Sequence, residues 1–178
     1  TLAQVGYGLG LLFIVPLGDA MERRNLIFRT LLAVSLALFG VAVAPNFIWL
    51  SIVITLVGIT TVVPQLIVPL AASMARPAER GRVIGNVMSG LLVGILLSRT
   101  VSGYINAWLG WRAVYFLALA LMLVLAFALR QVLPASPPKT NLRYGELLTS
   151  LVHLIKTEPV LRETAVLGGL AFGAMSSF

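Results

Sequence analysis

The chain reads as an all-α protein that crosses a membrane several times. Its composition is the first reason: 59% of its 178 residues are hydrophobic and 11% are charged, where soluble domains carry about 25% charged and about 45–50% apolar residues. The second is the arrangement of the apolar residues in long runs, with a mean hydropathy of +1.00. The third is the placement of the charges, which gather in the short stretches between those runs. The formal charge of +7 is therefore read as topology and headgroup contact, not as a nucleic-acid surface. With no cysteine, neither a disulfide framework nor a thiolate metal site is expected. One histidine and six acidic residues make a metal cluster unexpected.

Leu2 to Gly18 lacks a charge for about 17 residues, long enough for a first span at about 2–18. Gly6 and Gly10 form a small-xxx-small pair within it, a face on which helices approach closely in lipid. Gly6-x-Gly8-x-Gly10 follows no strand and precedes no acidic partner, so it is not a dinucleotide fingerprint. The next stretch, Val15-Pro16-Leu17-Gly18-Asp19-Ala20-Met21-Glu22-Arg23-Arg24, joins two apolar runs by a short turn. The helices on either side must then run antiparallel as neighbours. Its charges hold this end at a water interface, and Arg23, Arg24 and Arg29 put that interface on the cytoplasmic side.

A second span is expected at about 26–44, then an uncharged turn at Pro45-Asn46 with Phe47 and Trp49 as interfacial anchors. The third span, about 48–75, carries Thr55, Thr60, Thr61, Pro64, Gln65 and Pro69. Its prolines free backbone carbonyls, tolerated where a helix lines protein or a water-filled cavity. Gln65 either belongs to a substrate pathway or makes an interhelical hydrogen bond. A basic loop, Arg76 to Arg82, leads to the fourth span at about 83–108, with the helix-packing glycines Gly90, Gly94 and Gly103. Arg99 lies within that span, at a depth that costs of order 2–3 kcal/mol unless it faces a partner or a cavity. Its alternatives are a buried structural pair, or direct work in substrate binding or proton coupling.

Gly110-Trp111-Arg112 closes an outer turn ringed by Tyr104, Trp108, Trp111 and Tyr115. The fifth span, about 113–133, is nearly pure Leu, Ala, Val and Phe, the pattern of a lipid-facing helix, with Arg130 at its inner end. Pro134 and the prolines after it break the helix. Leu147, Leu148, Leu151, Leu154 and Ile155 then recur at helical spacing among Arg143, Glu146, His153 and Lys156. That pattern predicts a short amphipathic helix on the cytoplasmic face, with His153 a solvated residue more than a proton carrier. Residues 160–178 open another apolar run. Because the chain begins at Thr1 inside one apolar run and stops at Phe178 inside another, it is expected to be a piece of a longer protein.

The turn resembles the Gly-x-Leu-x-Asp-Arg-x-Gly-Arg-Arg motif of the major facilitator superfamily, keeping Leu17, Asp19, Arg23 and Arg24. Val15, Ala20 and Glu22 depart from it, in a form similar to a bacterial efflux-type branch. Pro77, Arg80, Gly81 and Arg82, with Pro77 here one residue closer to Arg80, resemble the Pro-x-x-x-Arg-Gly-Arg loop that often follows the fourth helix in this superfamily. In the antiporter motif of its fifth helix, Gly-x-x-x-Gly-Pro-x-x-Gly-Gly, Gly94, Ser102 and Gly103 fill small-residue places, whereas Ser98 and Arg99 stand where Gly-Pro is expected. The resemblance implies helices two to seven of a twelve-helix fold. Residues 1–133 would be most of the N-terminal half, 134–159 a cytoplasmic linker and 160–178 the start of the second half.

It also implies a secondary active transporter, with proton-coupled efflux of small molecules by alternating access in the bacterial inner membrane. Leu17, Asp19, Arg23, Arg24 and Arg80 would form a cytoplasmic gate, and Gln65 and Arg99 the substrate or coupling path. The partners are then a small-molecule substrate, protons, the lipid bilayer and the rest of the same polypeptide, with no cofactor, metal or nucleic acid. An importer of anionic metabolites is the alternative, with a channel or a non-transporting membrane protein as a different class. An enzyme is not expected, because no Ser/His, paired-Asp or His-rich constellation lies at depth.

Overall fold

The computed structural model describes residues 2–134 and, beyond them, 145–146, 149–150, 157, 163–164 and 167–168. Two compact units divide the chain, Thr1–Lys139 and Thr140–Phe178. The expected linker helix with His153, and the run over 160–178, lie outside the described residues apart from those scattered helical positions.

The first unit is all helix: α1 (Leu2–Phe13), α2 (Leu17–Ala20), α3 (Arg23–Ala42), α4 (Phe47–Thr60), α5 (Val63–Met74), α6 (Arg80–Leu109) and α7 (Trp111–Val132). A 3₁₀ turn, Pro77–Glu79, precedes α6. Taken with their continuations, five of these helical stretches are long and apolar enough to cross a membrane. They are Leu2–Ala20, Arg23–Ala42, Phe47–Met74, Pro77–Leu109 and Trp111–Val132.

Local chemistry explains the breaks. Pro16 has no N–H to continue α1, so the chain tightens through Leu17 N–H to Ile14 (3.1 Å) and Gly18 N–H to Val15 (2.9 Å) before α2. Only Met21 and Glu22 separate α2 from α3, so Arg23 and Arg24 belong to the first helical turn and not to the loop. Asn46 caps α4, its side-chain oxygen accepting the Trp49 N–H at 2.8 Å. The expected single span over 48–75 is two helices, parted at Thr61–Val62. Pro64 cannot donate to the Thr60 carbonyl, and the Thr60 and Thr61 hydroxyls turn back onto Leu56 and Val57. At the next loop Arg80 and Arg82 already lie within α6, because Pro77 starts a helical turn early. Gly110 alone joins α6 to α7, at φ 80°, a conformation that favours glycine. Trp111 and Arg112 are therefore helical rather than part of the turn.

Helix α3 is the centre of the unit, packed on α7, α4, α5 and α2. Leu26, Ile27 and Leu31 meet Val63, Leu66 and Leu70 of α5 and Ala126 of α7 in one core. Ala37 and Val41 meet Val53 of α4 in a second. On α7, Leu121 and Val124 are exposed and Ala126 is buried in the core with α3 and α5, while the partly exposed rings of Phe116 and Phe127 meet Phe39 and Phe28 edge to face. Helix α1 lies on α4 through glycines. A Cβ on Gly6 would meet the Thr55 carbonyl oxygen at 2.3 Å, and one on Gly58 would meet that of Ala3 at 2.2 Å. Helix α6 touches α5 and α7 and buries no residue.

Candidate functional site

Asp19 and Arg23 come together where the chain turns from α2 into α3. An Nη2 of Arg23 donates to Asp19 Oδ1 at 2.8 Å, and its Nε donates to the Gly18 carbonyl at 3.0 Å. A cation at the first position of a helix faces the positive end of the helix dipole, and these two acceptors offset that. Arg23 is only 7% exposed; Asp19 is half-exposed, its side chain at 49%. The remaining nitrogen of Arg23, Nη1, is buried with no hydrogen-bond partner among the described residues. A buried donor in that state costs the desolvation of the group until an acceptor meets it.

A pocket of about 280 Å³ opens beside the pair, between α2 and α5, lined by Val15, Asp19, Arg23, Gln65 and Pro69 among others. Close packing brings the two elements together, since a Cβ on Gly18 would meet Leu66 Cδ2 at 2.9 Å. Leu17 packs against the core shared by α3, α5 and α7, which seats the α2 turn. Gln65 Nε2 donates to the Tyr7 hydroxyl at 3.1 Å. It therefore both ties α5 to α1 and lines the pocket.

Three arginines singled out in the sequence stand apart from the pair. Arg24 turns away, donating through Nη2 to the Arg130 carbonyl at the end of α7. Arg80, exposed at the start of α6, makes no hydrogen bond or ion pair with the described residues. Arg99 is exposed on α6, and its guanidinium has no such partner among them either. Gly90, Gly94 and Gly103 have nothing within 4 Å of a built Cβ, so no described helix packs on them. The pair at Gly6 and Gly10 does the close packing instead. Sequence reasoning missed Tyr7 as the partner of Gln65, and Phe28, whose ring lies 4.4 Å from the guanidinium of Arg130. A lone phenol on an apolar helix was the available signal for the first.

The family model of the Major Facilitator Superfamily matches residues 1–178. The chain is similar to "Uncharacterized transporter YgaY" of Escherichia coli O157:H7, 43% identical over 176 residues, covering 99% of this chain and 45% of the relative. It is 35% identical over 180 residues to "Probable transporter SCO4007" of Streptomyces coelicolor, covering 99% of this chain and 41% of the relative. A more distant likeness, 27% over 148 residues, is to "Multi-drug resistance efflux pump PmrA" of Streptococcus pneumoniae, covering 76% of this chain and 37% of the relative. The chain thus spans less than half the length of the curated relatives it matches. No solved structure matches it.

Proposed function

The chain belongs to the major facilitator superfamily, and from that membership we propose that it serves a secondary active transporter exporting small molecules in exchange for protons. Residues 1–133 supply most of the N-terminal half, 134–159 a cytoplasmic linker and 160–178 the start of the second half. Transport proceeds by alternating access, the halves rocking about a site near the midplane. Export is favoured by the likeness to a protein named as a multi-drug resistance efflux pump. A bacterial inner (plasma) membrane is favoured by the bacterial sources of these relatives. The turn carrying Asp19, Arg23 and Arg24 faces the cytoplasm, because basic residues collect at 22–29, 76–82 and 130–156 while the opposite turns hold only Arg112.

The observation that carries the mechanism is the Asp19–Arg23 pair at 2.8 Å, with Arg23 buried and its Nη1 still able to donate. A guanidinium in that condition can take a further acceptor from the rest of the polypeptide in one state of the cycle and lose it in the other. Such a contact biases the equilibrium by its differential energy. Leu17 seats the turn, Arg80 joins the gate from α6, and Gln65 and Arg99 line the substrate or coupling path. In the second reading, import of anionic metabolites, Arg99 receives a carboxylate. The observation behind that reading is an exposed guanidinium with no acceptor among the described residues, and uptake of anionic against neutral substrates separates the two.

The test is Asp19→Asn in the full-length protein, with spin-label distances measured between the two halves. The half-exposure of Asp19 puts the expected effect near the low end of allosteric couplings, about 1 kcal/mol or a roughly five-fold change in the inward/outward ratio. A ratio and a transport rate both equal to wild type would remove Asp19 from the gate.

A further inference from the structure

Helices α3 and α7 share the most extensive contact in the unit, and each end of the pair is fastened in the same way. Arg24 is the second residue of α3, and its Nη2 donates to the carbonyl of Arg130 in the last turn of α7. Arg112 is the second residue of α7, and its Nη2 donates at 3.2 Å to the carbonyl of Ala44, just past the end of α3. Each arginine sits at the end of its own helix where a cation is least favoured, and each reaches the end of its neighbour where a cation is most favoured. Antiparallel packing makes this exchange possible, since it sets each N-terminus beside the other helix's C-terminus. The Arg130 carbonyl belongs to the last turn of α7, whose acceptors have no intrahelical donor, and the Ala44 carbonyl lies beyond the C-cap Val43 of α3.

Aromatic rings brace both ends and the span between them. The guanidinium of Arg130 lies over Phe28 at 4.4 Å, and Phe28 meets Phe127 edge to face at 5.9 Å. That of Arg112 lies over Trp111 at 4.5 Å, and Phe39 meets Phe116 at 6.4 Å. Neither helix is interrupted, whereas the stretches Leu2–Ala20 and Phe47–Met74 are each broken beside a proline, at Pro16 and Pro64.

We propose that α3 and α7 form a single strut locked by reciprocal arginine caps, Arg24 holding the end of α7 and Arg112 the end of α3. Both arginines are positioning residues, and each acts on the helix to which it does not belong. The lock leaves bending to the proline-broken stretches on either side. This role does not depend on what the protein transports or in which direction, and it gives Arg24 a function apart from the Asp19–Arg23 pair.

The test is hydrogen exchange read by mass spectrometry on the full-length protein in detergent. Arg24→Leu is expected to raise exchange about ten-fold at residues 129–133 and to leave 41–46 unchanged. Arg112→Leu is expected to do the reverse. Arg24→Lys and Arg112→Lys, which keep a charged donor, should restore most of the protection. If a leucine variant does not accumulate as folded protein, its lysine counterpart and the variant at the other end still report the crossed pattern. Exchange that rises only in the substituted helix's own first turn, that rises equally at both ends, or that does not change would overturn the reciprocal caps.

Discussion

A single added methyl at Gly10 should loosen the contact between α1 and α4. A Cβ there would stand 2.2 Å from the Ile59 carbonyl oxygen and 2.8 Å from Val62 Cγ1, so the helices would have to part by about 1 Å to reach ordinary contact. The obstacle at 2.2 Å is backbone, which cannot rotate aside as a side chain would. Separation would also open the neighbouring contacts at Gly6 and Gly58, which are equally close. Overpacking of this kind costs about 1–3 kcal/mol, and the upper end applies where backbone meets backbone. Replacing glycine by alanine inside a helix recovers up to about 1 kcal/mol of propensity, leaving a net loss of about 2 kcal/mol. For a unit of this size that lowers the melting temperature by about 4–8 °C. The assay is thermal unfolding of the full-length protein followed by size-exclusion chromatography in detergent. Gly8→Ala is the control, because nothing lies within 4 Å of its Cβ position on the same helix. A Gly10→Ala protein that melts no lower than Gly8→Ala would refute backbone contact as the source of the α1–α4 interface.

Two further outcomes follow from topology and from the transport reading. The chain has no cysteine, so single cysteines at positions 46 and 78 of an otherwise cysteine-free full-length protein should label from opposite sides of the membrane; labelling from one side would contradict the orientation set by the arginines. Residues 1–178 alone, reconstituted in liposomes, should move no substrate above a protein-free control, since alternating access needs two halves; uptake or efflux by that segment would refute the two-half mechanism.

Much of this arrangement is written in the sequence as local pattern, and the remainder depends on partners that local pattern cannot name. The apolar runs, the turn at Pro45-Asn46 and the stop at Gly110 are legible because each reports a property of its own segment: length, a capping side chain, or a backbone conformation that favours glycine. The break in the third span was not expected, although Pro64 stands beside it. A proline disturbs the turn before it, and the break falls at Thr61–Val62, where threonine hydroxyls compete for the carbonyls. Glycine pairs show the same limit differently. Gly6 with Gly10 and Gly90 with Gly94 have identical spacing, yet only the first meets a backbone among the described residues. Spacing reports the capacity for close approach, and the fold decides where it is used.

The arginines make the point most sharply. Arg23 and Arg24 are adjacent and identical in type, and both read as interfacial charges of one loop. The fold separates them by direction, because neighbours on a helix point about 100° apart. One turns inward onto Asp19 and the Gly18 carbonyl; the other turns outward to the Arg130 carbonyl on α7. The Asp19–Arg23 relation was recoverable, since four residues part an acid and a base across the turn. The Arg24–Arg130 and Arg112–Ala44 relations were not, because their acceptors are main-chain oxygens, which every residue carries and no residue type advertises. Charge in this unit is thus sorted by helix geometry into a side-chain ion pair and two side-chain-to-main-chain contacts between helices, and only the ion pair leaves a trace in residue identity.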